Sequence, residues 1–248
     1  MPVIAATACY PGNKTVYLVK PDGSRSPVAD FSSQHHFDPQ GVGYVHGYHE
    51  ILIADKAPGG VSLVYSVWGV GATPHLLPDS HAAYPKYNRG VAGFSYYTSP
   101  KDQANAVYAA QATYLPLTTN GAVTCVRGAR HCLFQSHVLS DPYDVAIDET
   151  GVPFAVDARD KKAYRLLSHD AVDLGMTFVD PYGIAVTPDG KYVYVADAGA
   201  KKVYQRSPDG VWTEIGAFAD PYAVAVQADR TLFVADHGDR NVWRLTPQ

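Results

Sequence analysis

A chain of 248 residues with 46% hydrophobic and 18% charged residues can bury a sizeable core, which excludes a disordered polypeptide. A net charge of −4 and a pI near 6.2 leave no basic excess to neutralise phosphates, which excludes nucleic acid as the main partner. No apolar run approaches the ~18 residues that a membrane span needs, so no membrane partner is expected.

The start, MPVIAATACYPGNK, has neither a basic stretch nor a long apolar one. No signal peptide is read there, so a cytoplasmic location is expected, or a secreted one if a leader has been removed. Thr15–Phe31 (TVYLVKPDGSRSPVADF) aligns with a later stretch, KVYQRSPDGVWTEIGAF, and reads as the outer two strands of a first unit. A loose repeat start, DPQGVGY, begins at Asp38 just after His35 and His36, and a second, YNRGVAGF, begins at Tyr87 after a loop holding His81. The insertion SYYTSPKDQANAVYAAQ lengthens that second unit and puts Gln111 where other units have Asp. Cys125 and Cys132 flank VRGARH without a CxxC pair; two unpaired thiols and a bridge formed in an oxidising compartment are both open readings. The loop FQSHVLSD then carries His137.

From Asp141 the pattern becomes regular. DPYDVAI, DPYGIAV and DPYAVAV start at Asp141, Asp180 and Asp220, 39 and 40 residues apart. A fixed period near forty built of short strand-like runs signals stacked supersecondary units. In the middle copy GIAVT is followed by a PDG turn, then YVYVAD, KKVYQRS, a second PDG turn and WTEIGAFA. Asp-Gly supplies the positive φ that a tight hairpin needs, and the runs are rich in β-branched and aromatic residues. No segment keeps a 3.6-residue period. The expected fold is all-β: a single domain over 1–248, a six-bladed β-propeller of four-stranded antiparallel blades whose termini meet to close the ring, with five blades as the alternative.

The pattern DPyGvAV…dG…VyVAD…V resembles the NHL-repeat class of propellers, closely over 141–248, fairly over 38–66 and weakly over 80–139. Some members of the wider NHL-like group, the peptide-amidating lyases, hold a metal through histidines near a tyrosine and an arginine. The resemblance implies such an arrangement only by fold and residue type, because none of their local motifs occurs here.

Symmetric positions serve the shared fold, so a site is expected where the repeat breaks. The residue before the first-strand Gly or its equivalent is placed at the channel mouth: Gln40, Arg89, Tyr143, Tyr182 and Tyr222. Arg89 and the three tyrosines are the catalytic candidates. Arg can clamp a carboxylate, and Tyr can move a proton if its pKa is lowered, or simply pack between blades. Gln40, Gln111 and Tyr87 are the substrate-binding candidates. His36, His81 and His137, from three blade-to-blade loops, are the metal candidates for one divalent transition metal, zinc first, with surface histidines as the competing reading. Asp55, Asp157, Asp197 and Asp236, each closing a second strand, are read as acceptors for backbone N–H groups rather than as an acidic ring. No nucleotide-binding glycine motif stands in a strand–turn–helix setting, so no nucleotide cofactor is expected. Three functions remain open: a metal-assisted lyase or hydrolase acting on a small molecule, a non-catalytic ligand- or protein-binding module, and a lactonase-like or condensing enzyme without a histidine-bound metal. A monomer with a small-molecule ligand is expected.

Overall fold

The computed structural model describes residues 4–7, 15–19, 24–31, 39–46, 50–56, 62–69, 71–76, 86–97, 103–113, 121–127, 136–167 and 170–247. Among the described residues no helix is long and apolar enough to cross a membrane. Among the described residues twenty-two strands form the architecture. The N-terminal sheet holds β1 (Ile4–Thr7), β2 (Thr15–Val19) and β3 (Arg25–Asp30). Then come β4 (Pro39–His46), β5 (Glu50–Lys56), β6 (Ser62–Trp68) and β7 (His75–Leu76), followed by β8 (Lys86–Tyr97), β9 (Gln103–Thr113), β10 (Gly121–Arg127) and β11 (Ser136–Leu139). The regular half supplies β12 (Pro142–Ile147), β13 (Pro153–Asp157), β14 (Lys162–Leu166) and β15 (Ala171–Asp173), then β16 (Pro181–Val186), β17 (Val193–Asp197), β18 (Lys202–Arg206) and β19 (Trp212–Ala217). The C-terminal sheet is β20 (Pro221–Val226), β21 (Leu232–Asp236) and β22 (Asn241–Leu245).

Within each unit the strands pair antiparallel in chain order. The first strands β4, β8, β12, β16 and β20 pack against one another in succession, so they form the inner wall on which the units are threaded. The expected blade number does not hold. Four blades have four strands, β4–β7, β8–β11, β12–β15 and β16–β19, and the two terminal sheets stay three-stranded. Counting repeat starts treats every start as a full four-stranded blade. Among the described residues, however, no pairing joins the N-terminal sheet to β22, so the terminal strands complete no further blade. Two of the four blades are also not separate sheets. A short parallel pairing, Val45 with Gly93 and His46 with Phe94, fuses β4 to β8 into one eight-stranded sheet. The insertion seen in the sequence makes β8 and β9 the longest strands, at 12 and 11 residues.

Local chemistry fixes the hairpins. Gly151, Gly190 and Gly210 sit in turns at φ 87°, 71° and 89°, and Arg230 takes the same left-handed conformation at φ 65° where its repeat lacks the glycine. The units then stack through apolar faces. Phe154, Val156, Phe178, Ile184 and Val195 fill the space between the blade of β12 and the blade of β16. Tyr194, Ala196, Val203, Leu232 and Val234 do the same between the blade of β16 and the last sheet. This two-sided burial explains the apolar run of β17, all five residues of which are buried. The last sheet differs: Ala223 and Ala225 of β20 are exposed where Gly183 and Ala185 of β16 are buried.

In the regular half, the buried carboxylates Asp157, Asp197 and Asp236 behave as the sequence suggested. Asp197 accepts from Val179 N and Asp180 N at 2.8 Å each and from Ala200 N at 3.1 Å. Asp157 accepts from Asp141 N, Arg159 N and Asp160 N, and Asp236 from Ala219 N, Asp220 N, Gly238 N and Asp239 N. Each carboxylate ties the segment entering its unit to the turn after its second strand. Burial pushes the Asp236 carboxyl up, but its four N–H donors together hold it below the usual value.

Two substitutions test this packing. A Cβ on Gly183 would lie 2.8 Å from both Ala223 Cα and Tyr222 O, backbone atoms that cannot swing away. Gly183→Ala is therefore expected to cost about 1–3 kcal/mol in chemical denaturation. Asp197→Ala strands three N–H groups and is expected to cost about 3 kcal/mol or more, while an exposed control such as Glu149→Ala stays within about 0.5 kcal/mol.

Candidate functional site

The site begins with a backbone irregularity that recurs at the start of the first strands. Pairing with the second strand shifts register between Pro142 and Asp144, between Pro181 and Gly183, and between Pro221 and Ala223. The same shift falls between Pro39 and Gly41 and between Asn88 and Gly90. The bulged residues are thus Tyr143, Tyr182, Tyr222, Gln40 and Arg89, the five residues assigned to the mouth from the sequence. A bulge releases one residue from the ladder and re-aims it, and here the successive first strands carry those residues at one end. For Gln40 and Arg89 the structure gives this backbone position.

The three tyrosines meet. Tyr182 and Tyr222 stack with ring centroids 4.4 Å apart and planes 21° apart. Tyr143 stands edge-on to both, at 4.3 Å from Tyr182 and 5.9 Å from Tyr222. The Tyr143 and Tyr222 hydroxyls hydrogen-bond to each other although the residues are 79 positions apart. The lowered pKa that a tyrosine base would need is not found at Tyr182. Burial, then the charge of Asp180, with smaller contributions from Tyr222 and Asp220, push its phenol up to about 12. It is a neutral hydrogen-bond donor at ordinary pH.

Two further residues belong to this end, and both are breaks in the repeat. Asp144 stands where the next units have Gly183 and Ala223. Its Oδ1 accepts from Val145 N at 2.9 Å and its Oδ2 crosses to Ile184 N of the following unit at 3.1 Å. Loss of surrounding water raises its carboxyl to about 6, against the pull of those two N–H groups. His237 stands where the preceding units have Ala158 and Ala198. Its Nδ1 lies 3.0 Å from Asp220 Oδ2, its side chain is 74% exposed, and its ring is 6.1 Å from that of Tyr222. Comparing the aligned copies position by position finds both residues, because each puts an ionisable group into an otherwise small, neutral column.

Other expected residues lie elsewhere. Gln111 pairs with Asn88 in β9, confirming that it occupies the second-strand position held by Asp157, Asp197 and Asp236, and its neighbour Ala112 pairs with Tyr87. His36 and His81 lie outside the described residues, as does Cys132. His137 is placed in β11, the fourth strand of its blade and opposite Val123, rather than in a blade-to-blade loop. Three strand spacings of about 4.8 Å set its backbone about 14 Å from β8 across the sheet. Among the described residues no three His, Cys, Asp or Glu side chains are grouped to hold a metal ion.

No protein-family model matches the chain, and no curated protein matches it in sequence. Solved structures do match it in shape. A chain of a nidogen/laminin complex aligns with TM-score 0.70 at 12% identity, over 94% of this chain and 86% of that one. The fold is a β-propeller. The PQQ-bound aldose sugar dehydrogenase of Streptomyces coelicolor aligns with TM-score 0.66 at 13% identity, over 94% of this chain and 88% of its own. A catalytically inactive virginiamycin B lyase of Staphylococcus aureus, solved with quinupristin, gives TM-score 0.57 at 13% identity, over 95% of this chain and 75% of the lyase. Propellers of this shape thus include enzymes and partners in protein complexes.

Asp144 makes the site's pH response testable. Its carboxyl titrates near 6 in the folded chain and near 3.8 when unperturbed, so between those values the folded state holds a proton that the unfolded state has released. Stability from this group is full below about pH 4 and falls as pH rises to about 6. Unfolding free energies of wild type minus those of Asp144→Asn should accordingly decline across pH 4–6 and level off above. A flat difference would show that the carboxyl is ionised throughout.

Proposed function

We propose that this propeller is a small-molecule enzyme whose site lies at the tyrosine-bearing end of its first strands and whose chemistry is proton transfer of the lyase or hydrolase type. The observation that carries this reading is the Asp220–His237 pair. An aspartate engages one imidazole nitrogen and so selects the tautomer that leaves Nε2 to exchange a proton with a ligand. The pair sits beside tyrosines drawn from three units, one of which, Tyr182, stays a neutral phenol hydrogen-bonded to Asp180. Support also comes from shape, since the similar propellers include virginiamycin B lyase and a sugar dehydrogenase. NHL-repeat membership belongs to the same proposal and rests on the three copies from Asp141. Arg89, at the matching position of β8, is assigned the role of anchoring an anionic group of the substrate.

A second reading has its own observation. The last sheet leaves Ala223 and Ala225 exposed and Trp243 45% exposed, a flank on which a protein partner could rest without any turnover.

A panel of esters, lactones and β-elimination substrates, quinupristin among them, separates the two. Turnover is expected, with His237→Ala lowering kcat/KM by about 100-fold or more while circular dichroism stays unchanged. Turnover indifferent to His237→Ala, or none across the panel, would overturn the enzyme reading and leave the binding module.

A further inference from the structure

Asp144 joins two units where the repeat asks only for a small residue. Among the described residues β12 and β16 are edge strands of their sheets, and an edge strand presents N–H groups that no ladder takes up. One carboxylate collects such a group from each. Oδ1 accepts from Val145 N at 2.9 Å, and Oδ2 accepts from Ile184 N at 3.1 Å. Both donors lie beside the bulges. Asp144 directly follows Tyr143, and Ile184 comes two residues after Tyr182, so the carboxylate bridges the two strand starts whose rings meet edge-on at 4.3 Å. At the next junction the backbones set the spacing themselves, with Gly183 against Tyr222 and Ala223. The bridge is conditional on charge. An ionised carboxylate accepts at both oxygens. Once protonated, one oxygen becomes a hydroxyl and a single good acceptor remains for two donors. The bond to Ile184 is the longer of the two and the one that crosses between units, so it is the one given up.

We propose that Asp144 is the positioning residue of the tyrosine end, and that its protonation releases Ile184 and resets how Tyr143 meets Tyr182. The tyrosine arrangement then follows pH through one carboxyl group. Other titratable residues near this end of the strands packed on β12 are Asp157 on β13, Tyr182 on β16, and Lys86, Tyr87 and Arg89 at the start of β8. Burial raises the Asp157 carboxyl as well, but that group belongs to the clasp within its own unit. An imidazole commonly changes charge near neutral pH, so His237, beside Tyr222, is the competing source of any response.

Nuclear magnetic resonance of the full chain, labelled with 13C at tyrosine Cζ and 15N in the backbone, tests this without a ligand. Tyrosine signals are assigned by single Tyr→Phe variants. From about pH 8 down to about pH 4 the Tyr143 and Tyr182 signals should move together with the Ile184 amide proton, at one midpoint near 6. Asn offers one acceptor oxygen, as the neutral acid does. Asp144→Asn should therefore show at high pH the signals that wild type reaches at low pH, with no further step, while His237→Gln keeps the step. Static tyrosine signals, separate midpoints for the tyrosines and Ile184, a step that survives Asp144→Asn, or one lost in His237→Gln would each overturn the inference. The wild-type midpoints decide even where Asp144→Asn does not fold. None of these signals depends on turnover, so their failure leaves the enzyme reading standing, and an absence of turnover leaves the positioning role standing.

Discussion

One carboxylate per regular repeat organises the second half of this molecule. In the regular half, the aspartate that closes the second strand is buried and bonds backwards to the segment entering its own unit and forwards to the turn that follows. Burying a charge is costly unless backbone N–H groups surround it, and here three or four do. The clasp fixes the end of the first strand, and the bulge sits one residue beyond the clasped Asp-Pro. The tyrosine position is therefore defined by a network made almost wholly of backbone donors. The bulge also forms at Arg89, whose unit carries Gln111 in place of the aspartate, so Gln40, Arg89 and three tyrosines share one backbone position.

Function then depends on how the identical clasps are decorated. Between β16 and β20 the units approach so closely that only glycine fits at position 183. Between β12 and β16 the same column holds Asp144, which spans the junction with a hydrogen bond in place of a backbone contact. Next to the last clasp, an alanine column turns into His237. Two ionisable groups have entered a repeated scaffold at places where the scaffold asks only for something small.

Much of this was legible in the sequence, for reasons that differ residue by residue. The strands of the middle repeat follow from Asp-Gly turns and runs of β-branched and aromatic residues, and the structural role of Asp157, Asp197 and Asp236 follows from their recurrence. The mouth position was legible because it directly precedes the small residue of each first strand. Blade number was not, since a repeat start announces a first strand and says nothing of whether a fourth strand will be supplied. His137 looked like a loop residue because SHVL is short and carries no turn signal before it; fourth strands lie at the rim and need little apolar pattern. Asp144 and His237 were visible as departures from the aligned copies but were outweighed by longer loops rich in histidine. The parallel contact of β4 with β8 depends on how two units lean together, and no local pattern encodes it.

That β4–β8 contact bears on the ancestry of the array. Where neighbouring units meet through side-chain packing and a few hydrogen bonds, a copy of the forty-residue module can be gained or lost by unequal recombination, and the new junction resembles the old. Two modules sharing one continuous ladder form a single heritable block, because a copy spliced between β7 and β8 would sever the ladder. The shared DPY starts and even spacing of the modules after Asp141, and the divergence of those before it, are what such a division would leave behind: one half free to duplicate late, the other welded early and drifting as a pair.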